Sequence, residues 1–185
     1  LVHEVQERVN FYLEPFIEQL EENGLARSWL KNENAWNFYD WAPGFEGYGQ
    51  AWENKTFDGV LNCLLIIALE CAHKINLIVG KEDNYMEVAE RVRNSIEQFF
   101  DSEEGLYNTS LIDNRKSELV NSFAILCGAA KGERAQKIAQ WLVSEQPDTV
   151  RATHPMRAVL YDALMLVDKE EYKDYILDCV DRSGK

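Results

Sequence analysis

The sequence predicts an all-α domain built from helical hairpins. Apolar residues recur at helical spacing in about seven segments joined by short turns, with no convincing strand between them. The segments alternate between more apolar and more amphipathic ones, as expected where inner helices are covered on both sides and outer ones face water along one stripe. With 185 residues, 46% of them hydrophobic and 28% charged, the chain suits one core and a single domain over 1–185.

Taken in order, residues 2–22 carry Val2, Val5, Val9, Tyr12, Leu13, Phe16, Ile17 and Leu20 at helical spacing. Pro15, which lacks an N–H and clashes with the preceding turn, is expected to break or kink this helix, and Asn23-Gly24 to cap its end. Residues 25–54 are mostly loop. Residues 55–79 form the strongest helix, apolar on most sides from Phe57 to Ile78 and stopped by Gly80. Residues 84–100 follow as an amphipathic helix with Met86, Val88, Ala89, Val92, Ile96, Phe99 and Phe100 expected inward, then a turn over 102–108 carrying Gly105. Residues 117–130 predict a small-residue-rich helix, and residues 133–145 another with Ala135, Ile138, Ala139 and Leu142 on one stripe. Pro147 and Asp148 break the chain before the last two helices, 154–167 and 170–182, the former opened by Pro155 where a missing N–H costs nothing. No tight repeat consensus of the tetratricopeptide or ankyrin kind is visible.

Charge and cysteine usage narrow the function. A net charge of −13 argues against nucleic acid, whose phosphates need a basic face. No apolar run reaches the roughly eighteen residues of a membrane span. Cys63, Cys71, Cys127 and Cys179 form no C-x-x-C and have no histidine at metal-ligand spacing, so no metal is expected. They are expected as buried free thiols, which leans toward a reducing, cytoplasmic compartment. The chain begins at Leu1 without a signal-like segment, and the expectation is a piece of a longer polypeptide.

The most distinctive stretch is 29–52, which holds eight of the 21 aromatic residues: Trp29, Trp36, Phe38, Tyr39, Trp41, Phe45, Tyr48 and Trp52. Glu33, Asp40, Glu46 and Glu53 are interleaved with them, and Gly44, Gly47 and Gly49 loosen the backbone. Rings that stack on sugar C–H faces beside carboxylates that accept from sugar hydroxyls suit a carbohydrate cleft. A hydrophobic plug closing one end of a helical domain has the same composition. Asp40, flanked by Tyr39 and Trp41, suits a desolvated acid, a helix cap or a sugar-hydroxyl acceptor, with Glu46 and Glu53 as second partners. His154, between Thr153 and Pro155, either points into a cleft or helps start a helix. Asn121 and Ser122, polar on an inner helix, either line a cavity or bond a neighbour, while His3 and His73 suit surface or satisfied core positions. No G-x-S-x-G, Walker loop, G-x-G-x-x-G or H-E-x-x-H is present.

Three stretches together resemble a known family: Glu22-Asn23-Gly24-Leu25 followed by Trp36-Asn37-Phe38-Tyr39-Asp40-Trp41; the long helix from Phe57 through Glu70-Cys71-Ala72 to Ile78-Val79-Gly80; and Phe100-Asp101 through Gly105-Leu106-Tyr107 to Ser117–Gly128. This order is similar to the catalytic domain of bacterial α-L-rhamnosidases, six-hairpin glycosidases with an (α/α)6 barrel. Trp36-x-Phe38-x-Asp40-Trp41 is its most specific element. The resemblance implies a carbohydrate substrate, no cofactor, and inverting hydrolysis of terminal α-L-rhamnosyl linkages, one glutamic acid protonating the leaving oxygen and a second activating water. In that family the acid lies in an upstream Arg-Glu-x-x-Gly-Trp-Thr-Gly-Asp-like segment and the base in a downstream hairpin; neither is present, so both catalytic glutamates are expected outside this chain. The resemblance makes Asp40 and Trp41 part of the sugar subsite, Trp41 as a stacking wall; Trp36, Glu46 and His154 complete the expected substrate-binding set. About seven of a barrel's twelve helices are visible, so the expectation is an incomplete ring, inactive alone and prone to self-association through uncovered apolar surface. The alternatives are another six-hairpin sugar enzyme, or a non-catalytic helical module that binds a glycan or a protein.

Overall fold

The computed structural model describes residues 2–27, 39–42, 57–144 and 149–183. Among the described residues six helices and a small sheet follow in the order α1 (Val2–Glu18), α2 (Gly59–Val79), α3 (Tyr85–Ser95), β1 (Phe100–Asp101), β2 (Leu106–Ser110), β3 (Asp113–Lys116), α4 (Glu118–Leu126), α5 (Gly132–Val143) and α6 (Arg157–Ser183), with short 3-10 turns at Ile96–Phe99 and His154–Met156.

Helix α1 packs along α2, and α2 pairs with α3 as a hairpin. Helices α4 and α5 form the second hairpin. The third lies within α6, where Asp168 leaves helical geometry at φ −158°, ψ 104°. Its carboxylate Oδ1 accepts from the Glu170 and Glu171 amides at 2.9 and 3.0 Å, capping the second arm. The boundary expected between 167 and 170 therefore stands. The first arms lie side by side, α2 against α4 and α4 against α6. The core between them is built from Val60, Ile66, Leu69, Leu119, Ile138 and Leu164.

Four expectations need correction. The fold is not purely helical: β1, β2 and β3 form an antiparallel sheet in sequence order, with a bulge between Asn108 and Ser110. These strands are short and polar, and buried Lys116 holds them by bonding Asp101 Oδ2 at 3.0 Å and Asn108 Oδ1 at 2.7 Å. Pro15 does not break α1, which runs on to Glu18. The carbonyl that loses its partner belongs to Phe11, a residue 69% exposed, so water can satisfy it. Helix α2 is buried along one face rather than most of its circumference, leaving Leu64, Cys71, Leu77 and Ile78 exposed. By length and composition alone α2 could cross a membrane, yet its other face packs on α1, α3 and α4 and buries the polar Asn62 and Asn76. The same exposed stripe explains why Cys71 is not a buried thiol; Cys63 and Cys127 are buried, and Cys179 is half-buried.

The first two hairpins begin with the same device. Asp58 caps α2, its Oδ1 accepting from Val60 and Leu61 amides at 2.9 and 3.3 Å, and Ser117 caps α4 by accepting from Val120 N at 3.2 Å. Four residues after each cap comes a fully buried asparagine. Asn62 accepts from Ala26 N at 2.7 Å and donates to Ala26 O and Asp58 O at 3.0 and 2.8 Å. Asn121 accepts from Tyr107 N at 2.9 Å and donates to Tyr107 O and Ser117 O at 3.0 and 3.1 Å. Each clips an extended segment onto the first turn of a core helix, so Asn121 bonds a neighbour rather than lining a cavity.

Candidate functional site

The segments that lead into α2, α4 and α6 are tied together at one end of the row. Leu111 N donates to Phe57 O at 3.4 Å, Val150 N to Lys116 O at 3.0 Å, and Glu118 N to Val150 O at 3.0 Å. Helix N-termini gather here, and their partial positive charge favours acceptors.

Asp40 joins this end. It is buried, and both its oxygens accept: Oδ1 from the Trp41 amide at 2.7 Å and from the Thr153 hydroxyl, Oδ2 from the Thr153 amide at 2.7 Å. The carboxylate thus anchors residues 39–42 to the start of the third hairpin, 113 positions away in sequence. Trp41, next to this anchor, is 79% exposed. A fixed backbone that carries an exposed ring is suited to stacking against a flat apolar face.

His154 follows Thr153 and opens the 3-10 turn that Pro155 continues. It is exposed and lines a cavity of about 470 Å³ between α4, α5 and the two arms of α6. Trp36 and Glu46 lie outside the described residues, as does Glu53. The structure therefore brings Asp40, Trp41 and the Thr153-His154 pair together. His73 is a satisfied residue, its Nδ1 2.9 Å from Asp83 Oδ1.

Three residues of this end were missed by sequence reasoning. Thr153 is the partner that gives Asp40 its place. Asp58 is a buried carboxyl pushed up to about 7 by desolvation, against the opposing bonds from the Leu61 and Val60 amides and from Tyr39. Glu118, at the start of α4, is also raised by burial, against the Ala152 amide and the charges of Arg157 and Arg151. For Asp58 and Ser117 the recurring spacing of a capping side chain four residues before an asparagine was a usable signal; for Thr153 there was none. Among the described residues no group of three His, Cys, Asp or Glu side chains is placed to hold a metal ion.

No protein-family model matches the sequence, and no curated protein matches it. Solved structures do. The chain is similar to the GH78 family rhamnosidase of Bacillus sp. GL1, with a TM-score of 0.79 and 23% identity over 98% of this chain and 19% of that one. It is also similar to the rhamnosidase from Klebsiella oxytoca solved with rhamnose bound, with a TM-score of 0.69 and 17% identity over 96% of this chain and 34% of that one. The chain thus spans only a minor part of each. At these identities the likeness is one of fold: the row of hairpins from α1 to α6 has a rhamnosidase-like arrangement.

Proposed function

We propose that this chain is part of the catalytic domain of a glycoside hydrolase of the α-L-rhamnosidase kind, with Trp41 as a sugar-stacking wall and the catalytic glutamates elsewhere in the polypeptide. The similarity in fold to two rhamnosidases over nearly the whole chain carries this reading. Fold alone does not fix function, and the rim supplies the site-level support: an exposed Trp41 ring on a backbone that Asp40 ties to Thr153. With its oxygens engaged in these bonds, Asp40 acts by positioning Trp41. Helix α2 presents Leu64 and Ile78 outward, as a core helix would if further hairpins of a six-hairpin barrel completed the ring. Inverting hydrolysis of a terminal α-L-rhamnosyl linkage would then be carried out by two glutamates outside this chain, with Trp36, Glu46 and His154 as further subsite residues.

The test is hydrolysis of an aryl α-L-rhamnoside by the protein at its native length. Trp41→Ala should lower kcat/KM by about fivefold or more, the loss expected for one stacking contact of roughly 1 kcal/mol or more, without lowering Tm. Asp40→Asn should lower both. Absence of rhamnosidase activity in the native-length protein, or activity untouched by Trp41→Ala, would remove this reading in favour of the non-catalytic binding module.

A further inference from the structure

The third hairpin departs from the device of the first two. At the spacing where Asn62 follows Asp58 and Asn121 follows Ser117, Arg157 follows Thr153. No asparagine clip closes that corner, and the cavity of about 470 Å³ lies there. Glu118, Arg151, His154, Arg157, Tyr161 and Tyr175 contribute its polar and aromatic lining. Its size falls in the ~300–1,000 Å³ range of small-molecule pockets.

The charge in this cavity runs against the rest of the chain. Arg151 and Arg157 bring two guanidinium groups into a protein whose net charge is −13. Among the described residues Glu118 is the one carboxylate on the lining, and its Oε2 already accepts from the Ala152 amide at 2.8 Å. Burial disfavours its ionised form. Among the described residues neither arginine has a carboxylate within ion-pair distance. Burial opposes the charge on Arg157, but Tyr161 and Glu118 more than offset it, so the guanidinium is held above its ordinary value. Tyr175 is pushed up to about 12 by burial and remains neutral. The described lining thus carries a surplus of fixed positive charge beside two tyrosine rings.

We propose that this cavity is a binding site for a small organic anion, a carboxylate or phosphate group on a compact polar body, with Arg151 and Arg157 receiving the oxyanion and Tyr161 and Tyr175 packing against the body. Guanidinium forks match planar and tetrahedral oxyanions better than any other side chain. The cavity shares His154 with the proposed sugar subsite but not Asp40 or Trp41, and the argument for an anion rests on Arg151 and Arg157 rather than on the glycosidase reading.

The test is calorimetric titration and thermal unfolding of the protein at its native length with three probes: glucuronate, inorganic phosphate and neutral glucose, at one ionic strength set with potassium chloride. Glucuronate, phosphate or both should bind with a Kd of about 10 mM or tighter and raise Tm, while glucose should not. Preference for glucuronate assigns an acidic sugar or other carboxylate; preference for phosphate assigns a phosphorylated ligand. Arg151→Gln, at an exposed position, should weaken anion binding at least about threefold, and Arg157→Gln about tenfold. If Arg157→Gln does not fold, Arg151→Gln decides. Failure of both anions to bind at about 10 mM, equal binding of glucose, or anion binding unchanged in the arginine variants would overturn the proposal.

Discussion

Replacing Asn121 with alanine should cost this fold a large share of its stability, although Asn121 is a small polar residue buried in the interior. Its side chain makes three bonds, one from Tyr107 N and two to the carbonyls of Tyr107 and Ser117. Asn121 and Tyr107 are both buried, so water cannot replace the lost partner. Three bonds at about 1 kcal/mol each, with a further 1 kcal/mol or so for leaving Tyr107 N–H and C=O dry, give a loss of roughly 4 kcal/mol. That compares with a total stability of about 5–15 kcal/mol for an ordinary domain. Asn62→Ala should cost about the same, because Asn62 makes the same three bonds to Ala26 and Asp58. Urea unfolding followed by circular dichroism measures both, with exposed Asn114→Ala as a control expected within about 0.5 kcal/mol of the parent. If Asn121→Ala unfolds at the same urea concentration as Asn114→Ala, the clip is not what binds β2 to α4, and the account of the repeated device fails.

Two further outcomes follow from the same end of the molecule. Thr153→Ala removes a hydroxyl bond to the Asp40 carboxylate and should cost about 1.5–3 kcal/mol, while Thr153→Ser should restore most of it; equal melting of the two variants would mean that the hydroxyl contributes nothing. Asp58 titrates near 7 in the folded chain against an ordinary value of 3.8, so the fold holds the proton more tightly than the unfolded chain does. Stability should therefore fall as pH rises from about 4 through about 7. Asp58→Asn keeps an oxygen to cap α2 but has no proton to lose, so urea midpoints at about pH 5 and pH 8 should differ less for it than for the parent. An identical pH response in the two proteins would show that Asp58 is not held protonated.

The helices were legible because their signal is local. Apolar periodicity placed α2, α3 and α5 to within a few residues, Gly80 ended α2 in a left-handed cap at φ 70°, and the break between the arms of α6 fell where Asp168 stands. The sheet was not legible. Leu106–Ser110 and Asp113–Lys116 are too polar and too short to show strand alternation. What makes them strands is Lys116 bonding Asp101 and Asn108, and Asn121 holding Tyr107 from a following helix. Pro15 misled because a proline's cost depends on whether the freed carbonyl can reach water, which sequence does not state.

The candidate site divides in the same way. The sequence singled out Asp40 and Trp41 in an aromatic segment and His154 at a helix start as chemistry-bearing residues. Their arrangement depended on Thr153, a partner 113 residues from Asp40. Of the cavity's lining only His154 was singled out by the sequence; the gathering of Arg151, Arg157 and Glu118 had no signal, since the walls come from three helices and a loop. Residue order by itself determined which segments become helices and where they end, because turn chemistry and side-chain periodicity act within a few residues. Only the tertiary structure decided which carboxylates are anchored, which rings reach solvent and where positive charge gathers, because desolvation and hydrogen bonding depend on neighbours that the chain brings together only when it folds.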